Sequence, residues 1–193
     1  MSKEIGKKRN IEMILAIVAM VLLSVSVIVF GVLIVLEKTG VLYPSDEGDS
    51  EIKAPKIIDA TPRTEGDFEY MILEGNTAII VGWVAGESGA TEAVTPTTIG
   101  GYPVTAVSDY VFAAYSKLDK ITFSEGITYI GKGALYGAMA EVYLPSTLEQ
   151  IGDSAFAGFS SEGVYYNGSE QDWKNVRIGG NNLAVKKVVF LSE

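Results

Sequence analysis

The chain of 193 residues contains no histidine and no cysteine. That excludes Ser-His-Asp and Cys-His nucleophilic catalysis, zinc held by imidazole or thiolate, iron–sulfur ligation and disulfides. Only carboxylates, Lys, Tyr, Ser and Thr remain for chemistry, and no cofactor or metal motif emerges from them. Cations are scarce too: 15 Lys and Arg against 24 Asp and Glu leave a net charge of −9. Nucleic acid, which is drawn to clustered Lys and Arg, is therefore not an expected partner. A cysteine-free chain suits either redox compartment, so location must be read elsewhere.

Charge is missing in a second way. Met13 to Leu36 is a run of 24 uncharged residues, interrupted only by Ser24, Ser26 and Gly31. At about 1.5 Å per residue a helix there exceeds the roughly 30 Å hydrocarbon core. Lys3, Lys7, Lys8 and Arg9 precede it, opposed by Glu4 and Glu12. The positive-inside rule then puts residues 1–12 in the cytoplasm and the rest of the chain outside the cell membrane, as a single-pass protein. A cleaved signal peptide would have a shorter apolar region and an A-x-A-like site; the run is longer and its end, Val35 to Gly40, offers none. Residues 13–36 are expected to be an uncleaved transmembrane anchor, without G-x-x-x-G to specify a helix dimer.

Residues 37–66 read as an acidic, proline-bearing extracellular linker, with Asp46, Glu47, Asp49 and Glu51 and then Pro55 and Pro62. The acidic cluster lacks the register of an EF-hand loop, so solvation explains it better than calcium.

From residue 67 the pattern changes. Asp67–Leu73 and Thr77–Val84 are β-rich runs around Glu74-Gly75-Asn76, a hairpin signal suited to capping an open stack. Ala93 to Pro96 takes the place of a first repeat strand. Three lines then recur: VSDYVFAAYSKLDKITFSEG, IGKGALYGAMAEVYLPST and IGDSAFAGFSSEGVYYNG. Val107, Ile130 and Ile151 open them at spacings of 23 and 21; Ile121, Val142 and Val164 begin their strand triplets at spacings of 21 and 22. A unit this short cannot bury its own apolar face and must stack on copies of itself. A fourth line, Lys187 to Phe190, falls in the same register.

These lines resemble the BspA-like bacterial leucine-rich repeats over residues 67–193. IGKGALYGAMAEVYLPSTLEQIGDSAF carries the resemblance most fully, and VYYNGSEQDWKNVRIGGNN is similar to the segment that closes such repeats. The family's usual Cys site holds Tyr115, Ala138 and Phe159, and Ser124 stands where Pro96 and Pro145 keep proline. The resemblance implies a cell-surface protein of adhesion and recognition, with no catalytic residues. The expected fold is thus an N-terminal transmembrane helix followed by a leucine-rich-repeat solenoid over 67–193. Its parallel strand ladder faces short helical or 3-10 segments near 109–114, 132–137 and 153–158. A hairpin caps one end and a segment containing Trp173 caps the other.

Alternation along the strands points Ile121, Phe123, Val142, Leu144, Val164 and Tyr166 inward and Thr122, Tyr143 and Tyr165 outward. Stacked strands put Thr122, Tyr143, Tyr165 and Val189 in one row, flanked by Lys120 and Glu141. Lys120, Thr122, Glu141, Tyr143 and Tyr165 are the candidate ligand-binding residues, since Tyr is enriched in binding hot spots. Cross-strand packing alone would also explain the two tyrosines. A glycosidase-like carboxylate pair needs a cleft, which a thin solenoid offers poorly. The expectation is a membrane-anchored, non-catalytic surface protein that binds a protein or glycan. The alternative is a structural or accessory protein that associates laterally with membrane partners. Composition leaves the oligomeric state open.

Overall fold

A computed structural model describes residues 52–113, 115–138, 140–159 and 163–192. The anchor at 13–36 and the acidic cluster at 46–51 lie outside the described residues. Among the described residues no helix is long and apolar enough to cross a membrane.

The described chain opens with three antiparallel strands: β1 (Ile57–Glu65), β2 (Phe68–Leu73) and β3 (Thr77–Trp83). The turn joining β2 to β3 has positive φ at Gly75 and Asn76, two residue types that tolerate the left-handed region. The hairpin read over 67–84 is therefore present. The linker, however, does not run unbroken to residue 66, because β1 occupies part of it. Its sequence hides this: β1 is an edge strand, exposed along most of its length. Such a strand needs no apolar alternation and accepts Pro62.

A four-residue helix, α1 (Val84–Glu87), leads to β4 (Glu92–Val94), β5 (Thr98–Ile99) and β6 (Tyr102–Val107). The repeats supply β7 (Lys120–Thr122), β8 (Tyr129–Ile130), β9 (Glu141–Leu144), β10 (Gln150–Ile151) and β11 (Val164–Tyr166). After them come α2 (Glu170–Trp173), β12 (Arg177–Ile178), a 3-10 turn over Leu183–Lys187 and β13 (Val188–Phe190). The strands sort into two sheets. Sheet A runs β1-β2-β3-β6-β8-β10-β12, with β5 paired on β6, and sheet B runs β13-β11-β9-β7-β4. Pairing is parallel throughout sheet B and from β3 onward along the main path of sheet A.

The solenoid and its first strand, Ala93, are as expected, but the wall facing sheet B is different. It is built by the second ladder, β6-β8-β10-β12, together with stacked turns at 109–113, 132–137 and 153–158 in place of helical or 3-10 segments. The reason lies in where the backbone bonds go. Tyr110 and Phe112 donate N–H to Lys132 and Ala134 of the next repeat, and Gly133 and Leu135 donate to Asp153 and Ala155 at 2.8 to 3.0 Å. Bonds spent between repeats are not available for the i→i−4 bonds within a helix.

Glycine makes that closeness possible. A Cβ on Gly152 would lie 2.6 Å from the backbone N of Lys132, one on Gly131 2.6 Å from that of Asp109, and one on Gly179 2.7 Å from that of Asp153. The Gly that follows Ile130, Ile151 and Ile178 is thus a packing requirement of the stack.

The core fills the space between the two sheets. Ile121, Val142, Val107, Ile130, Ile151, Phe112 and Leu135 are fully buried there, and Phe123, Leu144, Val164 and Tyr166 nearly so. Each such side chain contributes roughly 1.5–3 kcal/mol from burial. Thr95 looks like a weak filler in sequence, yet it is wholly buried and satisfied. Its hydroxyl oxygen accepts the Ser124 N–H at 2.8 Å, and the Ser124 hydroxyl donates to the Thr95 carbonyl. Serine in the proline position thereby supplies donors that proline would lack. At the N-terminal end Tyr115 packs edge-on against Trp83, 5.0 Å between centroids, and donates its hydroxyl to the Trp83 carbonyl.

Candidate functional site

Sheet B carries one continuous outward row. The register pairs Val94 with Thr122, Thr122 with Tyr143, Tyr143 with Tyr165 and Tyr165 with Val189. Thr122, Tyr143, Tyr165 and Val189 are the row read from alternation; Val94, 62% exposed, extends it by one strand. Sequence alone does not set it in the row, because Ala93 is a weak inward residue, although Val94 follows Ala93 as Thr122 follows Ile121.

Two residues earlier on the same strands lies a charged row. Glu92 pairs with Lys120 and Lys120 with Glu141. On β11 the corresponding position is Gly163. A Cβ there would stand 2.7 Å from the Tyr165 ring, so that ring folds back over the glycine. All five candidate residues, Lys120, Thr122, Glu141, Tyr143 and Tyr165, therefore share one face and two adjoining rows.

The side chains are ordered by each other. Tyr143 and Tyr165 stack with centroids 4.8 Å apart and planes 14° from parallel. From the other flanking strand the Lys120 ammonium sits 4.9 Å from the Tyr143 centroid, a cation–π contact. The Tyr143 hydroxyl donates to the Glu141 carboxylate at 3.3 Å. Desolvation, then the Glu141 charge and that hydrogen bond, push the Tyr143 phenol above its ordinary pKa, so it stays a neutral donor at pH 7. With β7 and β11 on opposite sides of β9, both ring faces of Tyr143 are covered. What it offers outward is a ring edge.

Two acids of the repeats, Glu125 and Asp153, are engaged in hydrogen bonds. Glu125 accepts hydrogen bonds from the Ser146 N–H and hydroxyl and from the Asn167 amide. Burial raises its pKa, but these bonds outweigh burial and hold the carboxyl below the usual range. Asp153 accepts the Gly180 N–H at 2.8 Å. Among the described residues no group of three or more Asp and Glu is placed to hold a metal ion.

Trp173, expected as a lid, packs on Tyr166 with centroids 4.9 Å apart. It sits at the end of α2, which Ser169 and Asp172 close with a capping box. Beside it is a groove of about 770 Å³ whose apolar lining includes Trp173, Ile178, Val188 and Phe190.

Three solved structures are similar to part of the chain. A leucine rich cell surface protein from Faecalibacterium prausnitzii A2-165 has 23% identity over 55% of this chain and 33% of its own, with a TM-score of 0.45. The T. pallidum leucine rich repeat protein has 19% identity over 57% of this chain and 56% of its own, also at 0.45. A leucine-rich repeat protein from Bacteroides capillosus ATCC 29799 has 22% identity over 55% and 70%, at 0.31. The alignments thus span a third of the first and just over half of the second. No curated protein matches the chain. The model of the BspA type leucine rich repeat region matches residues 96–175 in six copies, a narrower span than the 67–193 of the resemblance. Over those residues the chain matches the BspA-type leucine-rich-repeat model.

Proposed function

We propose that the chain is a non-catalytic cell-surface recognition protein, held by a helix over residues 13–36, and that the outward face of sheet B binds a protein ligand. The observation that supports this is the row Val94-Thr122-Tyr143-Tyr165-Val189 beside Glu92, Lys120 and Glu141. It combines exposed apolar ends, aromatic rings of restricted freedom and charges of both signs. Those are the ingredients of a protein interface with a Tyr hot spot. A glycan is a poorer fit, because sugars stack on open ring faces and those of Tyr143 are covered by Tyr165 and Lys120. At about 4.8 Å per strand the row is about 19 Å long, enough for an interface at the small end of the standard range.

The stack itself supports a second reading. Two tyrosines that satisfy each other stabilise a sheet without a ligand, and the protein would then be an accessory that associates laterally with membrane neighbours. The detergent-solubilised full chain, presented to an array of host proteins, mucins and cell-wall glycans, separates the readings. Retention of a protein ligand supports recognition. Silence on the array, with cross-linking of the intact protein to a membrane neighbour, supports the accessory role. The anchor has its own test. Removing residues 13–36 should move the chain from the membrane to the soluble fraction, and retention in the membrane would contradict the proposed span.

A further inference from the structure

The two ends of the stack are closed differently. At the N-terminal end sheet A finishes on β1, which is exposed along most of its length and carries the Asp59–Arg63 ion pair. A polar outer face is what an end cap needs. Toward the other end the strands alternate between the sheets, β7 with β8, β9 with β10 and β11 with β12. The last, β13, has no counterpart in sheet A among the described residues. The groove of about 770 Å³ lies where that counterpart would run. Ile178 and Gly179 at the edge of β12 form one wall, and Val188 and Phe190 of β13 form the other.

The edge of β12 continues a regular series of acceptors. The Thr105 and Val107 carbonyls accept the Thr128 and Gly131 N–H, and those of Thr128 and Ile130 accept the Gln150 and Gly152 N–H. Those of Glu149 and Ile151 accept the Arg177 and Gly179 N–H, all six bonds at 2.8 or 2.9 Å. The next two carbonyls, Val176 and Ile178, have no strand partner among the described residues, because β12 pairs only with β10.

The series also limits what can enter. A Cβ on Gly131, Gly152 or Gly179 would lie 2.6 to 2.7 Å from the backbone nitrogen of the preceding turn. Before each glycine stands Ile130, Ile151 or Ile178, and before that Tyr129, Gln150 or Arg177, paired side by side. A strand laid on β12 in this register must bring Gly over Gly180 and an apolar residue beside Ile178. Its preceding residue falls beside Arg177, which has no ion-pair partner among the described residues, so an acid fits there. The groove itself carries charges of both signs and does not select by net charge: Glu170 is spent on Lys174 at 3.2 Å, and Asp153 accepts the Gly180 N–H at 2.8 Å.

We infer that the edge of β12 is a second protein-binding site, independent of the tyrosine row. It takes an extended partner segment of the pattern acidic–apolar–Gly as an added parallel strand. A folded second copy has no such strand to lend among the described residues: Ile99, Ile130 and Ile151, which precede glycines, are already buried.

Fluorescence anisotropy of the full chain in detergent tests this. The probe is the labelled peptide Thr-Leu-Glu-Gln-Ile-Gly-Asp-Ser-Ala-Phe, the sequence of residues 147–156. Saturable binding is expected, strengthened about threefold by Gln150→Glu in the peptide, the size of one cross-strand charge pair. Gly152→Ala in the peptide should weaken it at least about tenfold, since the added methyl meets backbone. On the Arg177→Glu protein, altered at an exposed position, the preference should invert, so that the Gln150→Lys peptide binds more tightly than the Gln150→Glu peptide. Absence of binding, equal binding of the glycine and alanine peptides, or a preference unchanged by Arg177→Glu would each overturn the inference. So would full-chain oligomers that the peptide dissociates, which would give the edge to a second copy.

Discussion

Asn182 locks the last repeat by accepting the Phe156 N–H on its side-chain oxygen at 2.9 Å. Its amide also donates to the carbonyls of Gly152 and Gly179 at 2.9 and 2.8 Å, and the residue is only 5% exposed. One buried side chain thus satisfies backbone groups of two turns. Asn182→Ala should cost about 2–4 kcal/mol, since each buried partner left unpaired costs about 1–3. Asn182→Asp should cost at least as much at pH 7, because it loses the donors and buries a charge. Urea midpoints measure both, and a shift within the error of wild type would contradict the assigned role.

The glycine of each repeat gives a second test. Gly152→Ala places a methyl 2.6 Å from the backbone N of Lys132, where no side chain can move aside. A loss of about 2–4 kcal/mol is expected, in the range of overpacked cores. Ser108 stands at the same repeat position in the first turn and already carries a Cβ, so Ser108→Ala should shift stability by less than about 0.5 kcal/mol. Equal effects from the two would refute the close-approach account of the Ile-Gly pair.

Much of this architecture was legible in sequence, for a specific reason. Ile121, Val142 and Val164 recur at repeat spacing because each faces the same core, and the alternation that buries them also set Thr122, Tyr143 and Tyr165 in one row. The second ladder was not legible. Its strands β8, β10 and β12 are two residues long, too short for any period to show. The turns at 132–137 and 153–158 contain the helix-compatible pairs Ala134-Leu135 and Ala155-Phe156; in the first of them Gly133, Leu135 and Gly137 donate their N–H groups to the next repeat, which local sequence does not encode. Asn182 does not stand out within Gly179-Gly180-Asn181-Asn182, since its backbone partners are distant or set by the turn's geometry. At the site, the shared row of Tyr143 and Tyr165 followed from register, but the Lys120 ammonium over the Tyr143 ring depends on a rotamer.

The edge strand β1 carries a pH prediction. The Thr61 N–H, donating at 2.9 Å, and then the Arg63 guanidinium hold the Asp59 carboxyl at a pKa of about 2. Its folded pKa is depressed below the ordinary 3.8, so its contribution is present above pH 3.8 and is lost as pH falls toward 2. Hydrogen exchange across Ile57–Glu65 should therefore quicken over that window, and Asp59→Asn should remove the dependence. A carboxyl that titrates near 3.8 by NMR would contradict it.

The central claim is that the face bearing Tyr143 and Tyr165 captures a protein. The most direct measurement takes the ligand retained on the array and compares its Kd for the wild-type chain and for Tyr143→Ala/Tyr165→Ala, with far-UV circular dichroism of both. Paired hot-spot tyrosines predict a loss of at least 100-fold, about 2.7 kcal/mol or more, in a variant whose spectrum is unchanged. An unchanged Kd would contradict the claim, and unfolding of the variant would show that the stacked rings serve the sheet instead.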